Sequence, residues 1–350
     1  MRTRGILREA WRNVSSGTTR ALVGTVLLAA ILIGVGLVDG LAKRDVFLAQ
    51  RAYRAAGGHI STIQASGEVD AARCVALNEV PAIRGAVALR ERGSLHIDVL
   101  PDNPVSRYAV AGDPVALLGG ERGAEGGVAL SVSLAERLGV TPGSMVSTTE
   151  GETRISQVFH YASDGRNPVL ELAALTPVPP EGRFDHCWVA VWPPNQFLDG
   201  LLLSTVDTNN VDLGHLNTVL GQPQATQNLL AARPTRFIPF FGAALAALLG
   251  FALTRGRRVE LALALQLGVR RRDQLLQVVL ESSSWLGAAL LVAEAALMTV
   301  LAGLTSGEAR WLAVAGALDS AGITLAAGVG VLAGLATIAT GKLYGWARDR

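Results

Sequence analysis

The residues of this chain that could do chemistry are few. Its five histidines, His59, His96, His160, His186 and His215, show no metal-ligand spacing, so no metal site is expected. Asp185-His186-Cys187 sets an acid, an imidazole and a thiol side by side, the residue types of a nucleophilic site. A cysteine pair has another use, however. Cys74 and Cys187 are the only two cysteines, and an even pair in an oxidising compartment forms one disulfide. That bond would close a loop of more than a hundred residues, worth up to ~4–5 kcal/mol in the chain-entropy model. Two separate buried thiols are the alternative. Glycines up to Gly341-Lys342 imitate a phosphate-binding loop, but the spacing is too long and Leu343 replaces the required Ser or Thr. The chain therefore carries no ATPase motif, and no cofactor of its own is expected.

Residues 255–285 are the exception, reading RGRRVELALALQLGVRRRDQLLQVVLESSSW. Arg257, Arg258 and Glu260 open a short amphipathic helix that continues through Leu261, Leu265 and Leu267. Gly268 interrupts it, and Arg270, Arg271 and Arg272 follow. A helix this short has no core of its own, so it lies on a membrane or docks into a partner.

The elements that must position this segment are apolar. Half of the residues are hydrophobic and only 17% are charged, which leans away from an ordinary soluble domain. Ala21–Val38, 237–254 and 320–341 contain no charged residue. About 20 apolar residues cross a hydrocarbon core of about 30 Å, so each is read as a membrane span rather than a buried core helix. The fourth stretch, 274–304, carries Glu281 and Glu294. Glu281 falls in its first turns, near the interface. Glu294 falls near mid-membrane, where an acid is costly and faces other helices or water; an interhelical hydrogen bond is the simplest use for it. Gly34, Gly36 and Gly40, and Gly330 and Gly334, fit small-residue helix packing, against mere tolerance of glycine in membrane helices.

Arginine and lysine set the orientation. The leader holds five arginines, the 255–273 loop six, and the tail Lys342, Arg348 and Arg350, against four acids in all three. Residues 41–236 hold 16 basic and 20 acidic residues, which leaves them without the positive excess of a cytoplasmic segment. Four spans put all three basic segments inside. The expected layout is a cytoplasmic leader at 1–20, spans at 21–40, 236–254, 274–304 and 320–341, and a cytoplasmic loop at 255–273. Outside lie a domain at 41–235 and a short loop at 305–319, and the tail at 342–350 is cytoplasmic. The first span is read as an uncleaved anchor, because its apolar run is longer than that of a signal peptide. The net charge of +2 gives no support for nucleic-acid binding.

Within the outside segment, Leu41–Ala56 reads as a helical stalk ended by Gly57-Gly58. His59–Gln64, Ser94–Leu100 and Tyr108–Ala111 alternate like strands, and Val69–Leu77 reads as a helix. Val128–Leu130 is a strand; Ser131 or Ser133 can cap a helix to Leu138, with Gly139 as its left-handed stop. Ser144–Thr148, Thr153–Phe159, Val169–Leu175 and His186–Val191 add strands. From Gln196 to Pro234, apolar residues fall at helical spacing. The fold class is thus an α-helical membrane protein with four transmembrane helices plus a mixed α/β extracytoplasmic domain.

Several of these features together resemble the FtsX/MacB-type permeases of ABC transporters. The resemblance rests on Arg258-Val259-Glu260-Leu261 leading to Leu267-Gly268-Val269-Arg270-Arg271, then Glu281-Ser282 in the next span. The leader Arg8-Glu9-Ala10-Trp11-Arg12-Asn13 is similar to that family's amphipathic entry helix. Leu134-Ala135-Glu136-Arg137-Leu138-Gly139-Val140 with Pro142-Gly143 resembles part of its outside domain, while residues 160–235 match no known pattern. The one-plus-three span layout is also the family's.

The resemblance implies a permease subunit working in pairs, with a second copy or a related permease, in a bacterial plasma membrane with both termini cytoplasmic. ATP and Mg would be bound by a separate cytoplasmic ABC ATPase. Residues 258–268 would be the coupling helix in that ATPase's groove, with Arg257, Arg258, Glu260, Leu261, Leu265, Leu267, Gly268, Arg270 and Arg271 as contacts. Membrane lipids and an extracytoplasmic protein or peptide are further partners. The work done outside would be export or extraction of a peptide, lipoprotein or amphiphile. Activation of an extracytoplasmic cell-wall enzyme is the alternative, and a membrane-anchored ligand sensor a second. The sensor reading lacks a cytoplasmic output domain.

Overall fold

The computed structural model describes residues 3–16, 20–100, 102–122, 126–162, 164–195, 197–222 and 224–338. Arg2, the last residues of the fourth span and the whole tail with Lys342, Arg348 and Arg350 lie outside them. In chain order the helices are α1 (Thr3–Ser15), α2 (Ala21–Ala55), α3 (Ala71–Ala76), α4 (Pro114–Leu118), α5 (Val132–Leu138), α6 (Leu198–Leu203) and α7 (Thr226–Ala232). They continue with α8 (Ile238–Gly256), α9 (Arg258–Gln266), α10 (Arg271–Leu297) and α11 (Ser306–Ala336). The strands are β1 (Ile60–Asp70), β2 (Ile83–Leu95), β3 (Val105–Ala111), β4 (Gly120–Arg122) and β5 (Val128–Ser131). After them come β6 (Met145–Thr148), β7 (Gly151–Phe159), β8 (Ala173–Pro177), β9 (Arg183–Val191) and β10 (Asp212–His215).

The chain divides into two units, residues 49–226 and the remainder. The remainder is a helical bundle. Four helical stretches, Ala21–Ala55, Pro234–Gly256, Arg271–Leu301 and Ser306–Ala336, are long and apolar enough to cross a membrane. The protein is therefore a four-span membrane protein with a mixed α/β head. Lipid offers no hydrogen bonds, so these stretches satisfy their backbones internally as helices. What holds them to one another is close packing at small residues. A Cβ at Gly330 would stand 1.9 Å from the Ala247 carbonyl oxygen, and one at Gly250 2.1 Å from that of Ala327, so α8 and α11 touch backbone to backbone. Gly334 faces Thr254 in the same seam. Gly36 receives Leu297 and Gly40 faces Val300, but Gly34 faces open space. Of the five glycines singled out by spacing, Gly34 alone takes no part in packing.

Two expectations for the bundle change. The 305–319 segment, read as a loop, is helical from Ser306 onward. A capping box of Thr305 and Glu308 starts α11 there, and Trp311 meets Phe47 edge to face at 5.5 Å. The span expected at 274–304 is α-helical only to Leu297, with a 3-10 turn at Met298–Leu301, whereas α2 continues to Ala55 as the stalk reading has it.

The head is built on a ten-stranded sheet in the order β10-β1-β9-β2-β3-β8-β5-β7-β4, with β6 on β7. Pairing is antiparallel except for β3 with β8 and β5 with β7. Ile63, Ala88, Phe184 and Val189 form a core on the side covered by α3 and α6, and Val110, Phe159 and Leu175 belong to a second. Ser131 caps α5 and Gly139 ends it with φ 65°, as read from the sequence. Cys74 on α3 is bonded to Cys187 on β9, both fully buried. The helix expected at Val69–Leu77 begins only at Ala71, because β1 continues to Asp70, whose carboxylate caps it. Of Ser94–Leu100 only Ser94 and Leu95 belong to a strand, the tail of β2, and Val169–Leu175 opens with a 3-10 turn before β8. The helical reading of 196–234 holds at Leu229 and Leu230, which lie in α7, and fails in the middle of the stretch. Leu213 lies in β10, where it supplies an edge to β1, and among the described residues there only α6 and α7 are α-helices.

Candidate functional site

The segment 255–285 folds into a tight structure at one end of the bundle. α8 ends at Gly256, and α9 starts two residues later after a single non-helical residue, Arg257. Gly268 takes φ 89° after α9, a conformation open to glycine and strained for other residues, and the chain turns back into α10. The turn returns α10 alongside α9. Gln274 donates to the Leu261 carbonyl oxygen at 2.6 Å, and Leu261 and Ala262 are buried in the bundle core.

Arg257 is the hub of this arrangement. Its Nε and Nη2 donate to the two Glu260 oxygens at 3.1 and 2.7 Å, a fork-to-fork pair. Its Nη1 donates to Glu281 Oε2 at 2.6 Å. The other Glu281 oxygen accepts from Asn13 Nδ2 at 2.7 Å and from Gln277 Nε2 at 3.0 Å. Glu281 is 2% exposed, and its carboxylate accepts from three places in the chain: Asn13 in α1, Arg257 at the junction and Gln277 in α10. Burial disfavours the charge on Arg257, but its hydrogen bonds to Glu260 and Glu281 outweigh that, and its pKa lies above the ordinary arginine value.

The remaining residues of the segment point elsewhere. Leu267 is 86% exposed and Leu263 is also exposed, next to exposed Arg270, Arg271 and Arg272. Leu265, Arg258 and Val269 are half-buried. The sequence-singled residues thus fall into two sets. Arg257, Glu260, Leu261 and Glu281 serve the bundle, and Leu267, Gly268, Arg270 and Arg271 form its outward face.

Glu294 lies in the last turn of α10, beside the end of α2's apolar run at Asp39 rather than near mid-membrane as expected. It lines a cavity between α2, α10 and α11, and its Oε1 is buried with no hydrogen-bond partner among the described residues. The expected interhelical hydrogen bond is not made by that oxygen.

In the head, the would-be nucleophilic triplet is structural. Cys187 is consumed by the disulfide, and Asp185 accepts from the backbone of Gly67 and Glu91. Among the described residues no three His, Cys, Asp or Glu side chains gather as a metal site. Arg166, which the sequence did not single out, anchors the end of α2. It donates to the carbonyl oxygens of Ala55 and Ala56, and Asn217 donates to Ala56 as well. A cation at a helix C-terminus is the stabilising sign. A lone arginine in a loop offers no pattern from which to read that role.

No family model and no curated protein matches the chain. Solved structures resemble part of it, two of them as follows. One is the periplasmic region of MacB from Actinobacillus actinomycetemcomitans, 13% identical, covering 48% of this chain and 93% of that one, with a TM-score of 0.36. The other is a domain of a putative permease from Porphyromonas gingivalis, 16% identical, covering 51% and 98%, with a TM-score of 0.32. At these scores the likeness is loose.

Proposed function

We propose that this chain is the membrane subunit of an ABC transporter of the FtsX/MacB type. In this reading it binds no nucleotide itself. A separate cytoplasmic ATPase carries ATP and Mg, and a second permease copy or a related permease completes the assembly. The observation that supports it most is the division of labour around α9. One side of this nine-residue helix is tied into the bundle through Leu261, Gln274 and the Arg257 hub. The other side offers exposed Leu263 and Leu267 beside three arginines. A helix clamped on one face and sticky on the other moves as one body with the spans, which is what a mechanical input requires. Force entering there would reach α1, α8 and α10 directly through Arg257 and Glu281. The unbroken α2, whose last turns belong to the head, is the covalent route outward. Outside, the head would act on a peptide, lipoprotein or amphiphile.

Co-purification with the ABC ATPases encoded in the same genome tests this. Leu267→Glu and Arg271→Glu alter only the exposed face, so the bundle should stay folded. Both should abolish capture of the ATPase and its stimulation by the permease. Unchanged capture and stimulation in both variants would sink the assignment.

A further inference from the structure

The cavity at Glu294 combines features that a merely structural void lacks. It has a volume of about 50 Å³ and lies between α2, α10 and α11. Leu32, Val35, Leu297 and Ile323 form apolar walls, and Asp39, Lys43, Asp319 and Glu294 stand among them. Most of these charges are used. Lys43 pairs with Asp39 at 2.7 Å and with Asp319 at 3.0 Å. The other Asp39 oxygen accepts from Thr235 at 3.0 Å and faces Arg233 at 3.4 Å. With Glu294 ionised, three carboxylates face two cations, one negative charge in excess. Of the three carboxylates, Glu294 is the one with a buried oxygen that lacks a partner, Oε1; Arg233, whose Nε and Nη1 also lack partners, does not line the cavity.

The position of the site along the helices also matters. Asp39 directly follows the charge-free run Ala21–Val38, so the polar lining sits where an apolar span ends. Leu32 and Val35 lie one to two turns deeper in the same helix. A ligand placed here would hold a polar group at headgroup depth and an apolar part along the hydrocarbon. The space suits small polar groups, since a single water needs only about 10–15 Å³ of it. A primary ammonium brings three donors to an acceptor-only carboxylate, whereas a quaternary headgroup brings none.

We propose that this cavity binds the primary ammonium of an amphiphile, with Glu294 as its counter-ion and the chain lying along Leu32 and Val35 into the bilayer. The site does not depend on the ATPase reading. The ammonium could belong to a soluble alkylamine or to an aminophospholipid, and binding can separate them.

The experiment is native mass spectrometry of the full chain in a non-ionic detergent, titrated with dodecylammonium, with dodecanol, and with a short-chain phosphatidylethanolamine. Saturable binding of dodecylammonium but not dodecanol is expected. Glu294→Gln, which keeps shape and loses charge, should weaken it about tenfold or more, the worth of one charge-assisted bond. Gly316→Leu provides a second variant with the charge intact. Gly316 lines the cavity, and a Cβ there meets nothing within 4 Å, so the added side chain fills the space without a clash at its base. It should block binding too. Phosphatidylethanolamine binding with the same sensitivity to both variants would assign the site to lipid, and its absence would assign it to soluble amines. Equal binding of dodecanol, or dodecylammonium binding unchanged by both variants, would overturn the proposal. So would no dodecylammonium or phosphatidylethanolamine binding together with an infrared carboxylic-acid band lost in Glu294→Gln, since Glu294 would then hold only a proton.

Discussion

Arg257 and Glu281 meet at 2.6 Å with side chains 12% and 3% exposed, joining the start of α9 to the interior of α10. Arg257 keeps Glu260 as a counter-ion when Glu281 is removed. Glu281→Ala is therefore expected to cost less than the ~3–5 kcal/mol of a fully uncompensated buried charge. Replacing both residues with apolar ones of similar size, Arg257→Met with Glu281→Leu, should recover most of it. Thermal unfolding of the parent and these two variants in detergent makes the comparison, and a double variant no better than Glu281→Ala would contradict the pairing.

Asn13 makes a narrower prediction. Its amide is a contact between α1 and Glu281, so Asn13→Ala should loosen the leader without unfolding the bundle. Hydrogen exchange should rise across Thr3–Ser15 and stay level across Ile238–Gly256. A uniform rise across both helices would mean that Asn13 stabilises the whole bundle instead.

The glycine seam separates positions that spacing alone cannot. Gly330→Ala and Gly250→Ala each drive a methyl into a facing carbonyl oxygen, so each should cost about 1–3 kcal/mol as overpacking does. Gly34→Ala meets open space and gains helix propensity, so it should be neutral or slightly stabilising. Unfolding midpoints of the three variants decide this; a Gly34→Ala loss equal to the other two would remove the seam as the explanation.

These cases mark what the sequence could convey. Charge-free runs announce spans because the membrane imposes one composition over some twenty residues. Ser131 and Gly139 announce α5 because capping is local chemistry. The strand β2 was legible only at its exposed end. From Ile83 to Leu89 it is buried at nearly every position, so it lacks the alternation that identifies a half-exposed strand. The reverse error occurred at Leu213 and Leu216, whose spacing mimics a helix while β10 completes the sheet edge. In the site, Arg257 and Glu281 were both singled out. Their union depends on Gly268 turning α10 back along α9, and no spacing rule carries that geometry.

His59 should give the head a pH-dependent stability. Burial and the nearby Arg54 charge lower its pKa from 6.5 to about 4. Between those values the unfolded chain binds a proton that the folded head does not. Stability from this group is therefore full above about pH 6.5 and falls as pH drops toward 4. His59→Gln cannot titrate, so its stability curve should be flatter than that of the parent across that window. Denaturant unfolding at several pH values measures both curves, and parallel slopes would exclude His59 as a source.

The disulfide offers the largest single effect on the head. Cys74 and Cys187 are 113 residues apart, so the bond restricts an unfolded loop covering much of the domain. Replacing both with alanine should cost about 3–5 kcal/mol in the chain-entropy model. Both sulfurs are fully buried, in a core with Ile63, Ala88 and Phe184, so the bond should resist reductant until the head opens. Raising the reductant concentration at a fixed sub-denaturing urea should then leave the reduction rate at a plateau set by opening. A rate proportional to reductant throughout would mean that the sulfurs are reached in the folded state. The bundle, joined to the head by the continuous α2, contains no cysteine and should unfold at an unchanged midpoint in the double-alanine variant. A shift there would show that head stability feeds back on the spans.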